Sequence, residues 1–348
     1  WQERLAGNGA DVHTAEHGDP QPDGRRRSHL GPVGHDLWGR YGVLSGDRLE
    51  KLSTGEIEVT GTPCGFRDVD AVTGGFQPGN LIIVAARPAM GKSALVANIA
   101  ENVAMKANKA VAFFSLEMSE VELAQRFIAC RARISGDKLR KGQVSQRDWP
   151  KVVRACNELE EAPLWFDDSS DLGILDLRAK ARRLHAQEQE RGGLGLIILD
   201  YIQLMRSDDH RANRVEQVGQ ISRGLKILAR ELEVPVVAIS QLSRAPEQRT
   251  PPKPQLSDLR ESGQIEQDAD VVAFLYRADY YRDPDEEPDG LADLIIAKHR
   301  NGPIGTRQLV FLDRFPKFAD HSHQEAPIEQ PAGEEPPYAD AAGAGPDF

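Results

Sequence analysis

Short, wholly apolar runs punctuate this chain, and between them apolar residues recur every three or four positions. The runs at 81–86 (LIIVAA), 111–116 (VAFFSL), 194–199 (LGLIIL), 234–239 (VPVVAI) and 271–276 (VVAFLY) have the length and composition of strands buried on both faces. Weaker runs at 163–166, 294–297 and 308–312 predict three more strands. The intervening stretches predict helices over 66–72, 94–105, 119–133, 145–160, 174–190 and 215–232. Their ends carry recognisable signals. Gly74-Gly75 and Gly192-Gly193 close two of them, and Ser119 with Glu122 three residues on predicts a capping box. Turns are expected at 62–65 and 77–80, a proline-rich loop at 244–257, and an acidic turn at 283–289.

Strands alternating with helices fold as an α/β domain, a mostly parallel sheet flanked by helices. Ligands of such sheets gather outside the carboxyl ends of the strands. Lys92, Glu117, Asp200 and Gln241 each fall at or just past such an end. Core packing explains the apolar runs but gives no reason for this polar row.

Composition narrows the classes. The chain has 348 residues, 40% of them hydrophobic, enough for one large domain with tails or two ordinary ones. No apolar run approaches the ~20 residues that cross a bilayer, and the start carries no secretory signal, so a cytoplasmic protein without membrane contact is expected. Cys64, Cys130 and Cys156 lie too far apart for metal-ligand spacing and read as reduced thiols. The net charge is −11, yet seven acids and no Lys or Arg fall within 319–348. The remainder is only mildly acidic, and nucleic-acid contact depends on the local field, so charge does not exclude it.

Residues 1–47 have no sustained apolar period and are expected to be flexible or disordered, with Arg25, Arg26 and Arg27 a solvated cluster and His13, His17, His29 and His35 scattered. The folded domain is expected over 48–318, and a disordered Pro/Ala/Glu tail over 319–348.

The run at 81–86 leads through a tight loop, Arg87-Pro88-Ala89-Met90, to Gly91-Lys92-Ser93-Ala94 and a helix. Strand, Gly-Lys-Ser loop and helix is the context of a phosphate-binding P-loop. Unpaired N–H groups at the helix start attract an anion, Lys92 supplies charge for the β- and γ-phosphates of ATP, and the Ser93 hydroxyl suits Mg²⁺. Ala86 stands where the usual pattern has its first glycine.

The segments AARPAMGKS, FFSLEMS, LIILDYIQLM, AISQLSR, DLRESGQIEQDADVV and AKHRNGPIG, taken in order over roughly 60–318, resemble the C-terminal motor domain of DnaB-type replicative helicases. The resemblance implies a RecA-like P-loop NTPase core, ATP and Mg²⁺ as cofactors, and an ATP-dependent helicase working in DNA replication. It implies that Glu117 is the general base, that Asp200 holds Mg²⁺ with Ser93, and that Gln241 senses the γ-phosphate. Lys298 and Arg300 resemble the cations that a neighbouring subunit inserts into the ATP site, so a homo-hexamer is implied. Arg260, Glu261 and Gly263 resemble the loop that grips single-stranded DNA, with the basic segment around Arg206 and Arg211 a second channel loop. A helicase loader and primase are implied partners. Residues 1–47 match neither the family's N-terminal helical domain nor its linker helix, so the collar that binds primase is expected to be absent. Two alternatives stay open on the residues: a recombination or repair ATPase of the RecA type, and a truncated paralogue that binds ATP and DNA without unwinding.

Overall fold

The computed structural model describes residues 59–207, 211–259, 263–283 and 285–321. Among these, nine strands form one sheet in the order β3-β2-β4-β5-β1-β6-β7-β8-β9. The first six in that order run parallel, and β7, β8 and β9 continue the sheet antiparallel. The parallel strands are β1 (Leu81–Ala86), β2 (Ala110–Ser115), β3 (Leu164–Asp167), β4 (Leu194–Asp200), β5 (Val236–Gln241) and β6 (Val271–Tyr276). The antiparallel ones are β7 (Leu291–His299), β8 (Gly305–Leu312) and β9 (Lys317–Asp320).

The apolar runs are uninterrupted because both faces of the central strands are covered. Alternate residues of β1 go to opposite cores. Ile82, Val84 and Ala86 pack with α1 (Arg67–Thr73), α2 (Lys92–Met105) and α3 (Glu120–Ala132). Leu81, Ile83 and Ala85 pack with α6 (Ile174–Gln187) and α7 (Arg214–Leu232). Each large aliphatic side chain buried this way contributes about 1.5–3 kcal/mol.

Several helix ends follow the sequence signals, whereas the 174–190 helix stops at Gln187 and Gly192 instead closes a 3-10 turn at Gln189–Arg191. Gly74 ends α1 in the left-handed conformation at φ 66°, and Ser119 with Glu122 forms the expected capping box on α3. Asn213 and Glu216 form another on α7. The 145–160 helix is shorter than expected, α5 at Trp149–Glu160, and a one-turn helix α4 (Gly136–Arg140) precedes it. The weak run at 294–297 belongs to a longer strand, β7, whose alternate residues Ala292, Leu294 and Ile296 are buried.

One expected boundary is corrected. Composition places the start of the tail at residue 319, but Ala319 and Asp320 belong to β9. One large apolar residue, Phe318, carries that strand, and it is buried against the Phe311 ring, with centroids 4.8 Å apart. Its backbone N–H donates to the Asn98 side-chain oxygen of α2 at 2.6 Å. Four residues with one large hydrophobe show no alternation, so the strand is set by these tertiary contacts. The expectations for 1–47 and 322–348 lie outside the described residues. No helix among the described residues is long and apolar enough to cross a membrane.

Candidate active site

Register brings the polar row together. Ala86 of β1 pairs with Gln241 of β5, and Ser115 of β2 pairs with Asp200 of β4, so β1 ends level with β5 and β2 with β4, all on one side of the domain. A cavity of about 290 Å³ lies there, lined by Lys92, Ser93, Glu117, Arg126, Tyr201 and Gln241, with Phe311 and Pro316 as an apolar wall.

The loop from β1 to α2 forms the floor. Ala89 and Gly91 both take positive φ, 63° and 95°. A Cβ at Gly91 would also come within 3.1 Å of the Phe318 ring, so β9 packs where only glycine leaves room. No side chain caps α2 at this end, which leaves its first N–H groups for an anion. Lys92 donates to the Ala86 carbonyl at 3.3 Å. Burial pulls its pKa down, against the attraction of Asp200 and Glu117.

Of the eight residues expected to cradle phosphate, Pro88, Ala89, Gly91, Lys92, Ser93 and Ala94 line the cavity. The side chains of the other two turn elsewhere. Met90 is 1% exposed and packs in the core. The Arg87 guanidinium donates to the Leu242 carbonyl at 3.0 Å and to Glu247 at 2.8 Å, which ties the loop to the segment after β5.

Glu117 is exposed at the mouth of the cavity, on a turn fixed from below. The buried Ser115 hydroxyl donates to the Met118 carbonyl at 2.7 Å and accepts its N–H at 3.1 Å. Leu116 N–H donates to the Asp200 carbonyl at 2.7 Å, joining this turn to β4. Asp200 is fully buried, and neither carboxylate oxygen has a hydrogen-bond partner. Burial raises its pKa and Glu117 pushes the same way, while Ser93 alongside, Lys92 and Arg126 draw it back down. Two orphaned anionic oxygens beside a serine hydroxyl are hard donors of the kind a hydrated Mg²⁺ needs, so the site fits the expected cation.

Two residues join the site without a sequence signal. Arg126 projects from α3, which the Ser119–Glu122 box orients. Burial lowers its pKa, opposed by Asp200, Glu117 and Glu122. Gln203, just after β4, donates to Ser240 Oγ at 2.9 Å and accepts the Gln241 N–H at 3.3 Å.

Other expected site residues lie apart. Lys298 lies near the end of the antiparallel β7 and Arg300 just past it, and Val272 near the start of β6 pairs with Lys298. They therefore sit at the opposite end of the parallel strands from the cavity. Lys298 Nζ donates to the carbonyls of Glu266 and Ala269 at 2.5 and 2.8 Å. Arg206 is engaged by Asp171 at 2.7 Å and Asp176 at 3.0 Å. Gly263 opens α8 (Gly263–Asp268), where an added Cβ would meet nothing within 4 Å. Arg260 and Glu261 lie outside the described residues.

The family model of the DnaB-like helicase C terminal domain matches residues 61–320. The replicative DNA helicase DnaB of Geobacillus stearothermophilus is 48% identical over 292 residues, which cover 84% of this chain and 63% of the relative. The replicative DNA helicase DnaC of Bacillus subtilis is 46% identical over 279 residues, 80% of this chain and 60% of the relative. The chain thus spans about three-fifths of the length of these curated relatives. Among solved structures, a chain described as an ATPase domain superposes with a TM-score of 0.74 at 36% identity, covering 84% of this chain and 99% of that one. A DnaB-like replicative helicase, described with its interactions with primase, gives 0.72 at 37% identity, covering 79% and 65%.

Proposed function

This chain belongs to the DnaB-like helicase C-terminal domain family, and from that premise we propose that it is the ATP-hydrolysing motor of a DNA helicase that moves along single-stranded DNA during replication. The observation that carries the reading is the division of charge across the sheet. Lys92, Ser93, Glu117, Arg126 and Asp200 converge at the carboxyl ends of the parallel strands, while Lys298 and Arg300 stand at the opposite end. A cation pair on the far side of its own domain has no role in its own cavity and suits the cavity of a second copy. An assembly in which each ATP site is shared, a homo-hexameric ring, follows from that reading.

In this mechanism the open N–H groups of α2 and the Lys92 ammonium hold the β- and γ-phosphates of ATP. Ser93 and Asp200 would hold Mg²⁺, which would neutralise charge on the phosphate oxygens. Glu117 orients a water and accepts its proton, a role for which the turn fixed by Ser115 suits it. Arg126 stabilises charge on the γ-phosphate from within the subunit, and Arg300 of the neighbour does so from outside. Gln241 senses the γ-phosphate from the end of β5. The apolar wall of Phe311 and Pro316 suits the purine base.

DNA is gripped by Arg260, Glu261 and Gly263. The glycine supports this reading, because neither φ nor crowding within the fold calls for one at 263. Such backbone contacts are independent of sequence and sensitive to salt. A helicase loader and primase are the partners this reading implies in the cytoplasm, although residues 1–47 match no primase-binding collar. The family favours a helicase over a recombination ATPase.

The test is ATP hydrolysis by the purified chain with and without single-stranded DNA, beside Glu117→Gln. The expected result is DNA-stimulated turnover that Glu117→Gln lowers at least ~10²-fold, within the range for losing a general base, with nucleotide affinity kept. Nucleotide and DNA binding without turnover would identify a non-motor paralogue instead.

A further inference from the structure

At the end of the strands opposite the cavity, one buried carboxylate gathers groups from three other parts of the chain. Asp270 precedes β6 and is 3% exposed. Its Oδ2 accepts the Leu81 N–H at the base of β1 at 2.8 Å and the Lys226 ammonium of α7 at 2.5 Å. Its Oδ1 faces a guanidinium nitrogen of Arg300 at 3.3 Å, and the Arg300 backbone N–H donates to the Asp270 carbonyl at 2.8 Å. The other terminal nitrogen of Arg300 donates to the Gln267 carbonyl at 3.3 Å.

We propose that Asp270 is a positioning residue for the ATP site of the neighbouring copy: it sets the direction in which Arg300 leaves this subunit. The proposal rests on the shared-site reading above and deepens it.

Three features separate this arrangement from an ordinary surface ion pair. Arg300 has a side chain 51% exposed, while the Asp270 side chain is 4% exposed and fixed by Leu81 and Lys226. A long side chain loses much rotamer freedom when it is held, so an immobile anchor beside it favours one direction. Charge balance also matters. One carboxylate faces two cations, Lys226 and Arg300, so the cluster keeps a net positive charge for a phosphate. Finally, Arg300 and Lys298 both rest on carbonyls at the end of α8, so the two cations share one support. None of these contacts reaches the subunit's own cavity.

The plain alternative is that Asp270 only ties the bases of β1 and β6 together through Leu81. Subunit mixing separates the two, because a purely structural defect stays in the chain that carries it. Asp270→Asn alone is expected to keep ATP affinity within about twofold. Its turnover should fall about 10²-fold, the cost of misplacing a catalytic group by roughly an ångström. Mixed in equal parts with Lys92→Ala before assembly, it should regain turnover above the sum of the two separate proteins, since Lys92→Ala neighbours supply a native Arg300. Arg300→Ala mixed with Lys92→Ala is the reference. Should the asparagine variant fail to fold, Asp270→Glu, which keeps the charge and displaces it by one methylene, takes its place.

Rescue in both mixtures supports the assignment. Rescue with Arg300→Ala but not with the Asp270 variant overturns it and leaves the shared site standing. Rescue in neither overturns the shared site and the assignment with it.

Discussion

Gln203 and Gln241 clasp one another across the ends of β4 and β5. The Gln203 side-chain oxygen accepts the Gln241 N–H at 3.3 Å, and its amide nitrogen donates to the Gln241 carbonyl at 3.4 Å and to Ser240 Oγ at 2.9 Å. The segment that follows Asp200, the proposed metal ligand, thereby holds the strand end carrying the proposed γ-phosphate sensor. Both are placed by backbone register, so the clasp fixes the last residue of a strand where fraying is easiest.

Removing the clasp should loosen the sensor without touching nucleotide. Gln203→Ala is expected to lower ATP turnover about tenfold and leave nucleotide affinity within twofold. Because the two residues act as a unit, Gln203→Ala is expected to add little in a Gln241→Ala background. Steady-state kinetics on the two single variants and the double variant checks this. Additive losses would mean that Gln203 acts on something other than Gln241.

Arg126 should behave as part of the catalytic machinery. Its charge is drawn into the cavity at a desolvation cost that lowers its pKa, offset by Asp200 and Glu117. Arg126→Met keeps much of the side-chain volume and is expected to lower kcat by ~10²–10³-fold, the usual range for losing one preorganised donor at developing charge. Thermal stability should be unchanged or higher. A loss of stability with kcat intact would make Arg126 a packing residue.

Asp200 gives a pH-dependent prediction. Burial raises its folded pKa above the ordinary 3.8. Between the unfolded and the folded value the folded state holds the proton more tightly, so stability falls as pH rises through that window. Above the folded value the penalty is fully present. In metal-free buffer Asp200→Asn is therefore expected to melt higher than the unsubstituted chain at pH 7. That gain should shrink as pH falls through the window toward 3.8. Adding Mg²⁺ with nucleotide should stabilise the native sequence more than the variant. Differential scanning calorimetry across pH reads all three, and a lower melting temperature for Asp200→Asn at pH 7 would contradict the burial argument.

The β9 roof should be sensitive to one polar side chain of α2. Asn98 accepts the Phe318 N–H at 2.6 Å and donates to Cys130 Sγ at 3.2 Å, all within the core. Asn98→Ala leaves a buried N–H unpaired, which costs about 1–3 kcal/mol. Chemical denaturation should show that loss. Nucleotide affinity should weaken as well, because Phe318 packs directly over Gly91.

Much of this site is legible in the sequence. Lys92, Glu117, Asp200 and Gln241 stand out because a parallel sheet aligns the ends of its buried strands, and apolar runs mark where those strands stop. Arg126 does not, since an arginine four residues after Glu122 on a helix reads equally well as a surface ion pair. Met90 and Arg87 sit in a motif whose spacing specifies the backbone path and not where each side chain turns. Gln203 and Asp270 act through partners thirty or more residues away, a relation that no local pattern records. The fold class follows from the alternation of elements, whereas β9 depends on Phe318 and Asn98 meeting in the core.

The most direct test of the shared ATP site is the specific ATPase activity of the purified chain as its own concentration rises, with saturating Mg-ATP and single-stranded DNA. If Arg300 completes the cavity of a second copy, activity per chain should climb from near background and reach a plateau as subunits associate. Arg300→Ala should assemble over the same range and stay about 10³-fold or more below it, the lower bound for losing an arginine finger. Full activity per chain at the lowest concentration, unchanged on association, would show that Lys92, Glu117 and Asp200 suffice within one subunit and would contradict the account.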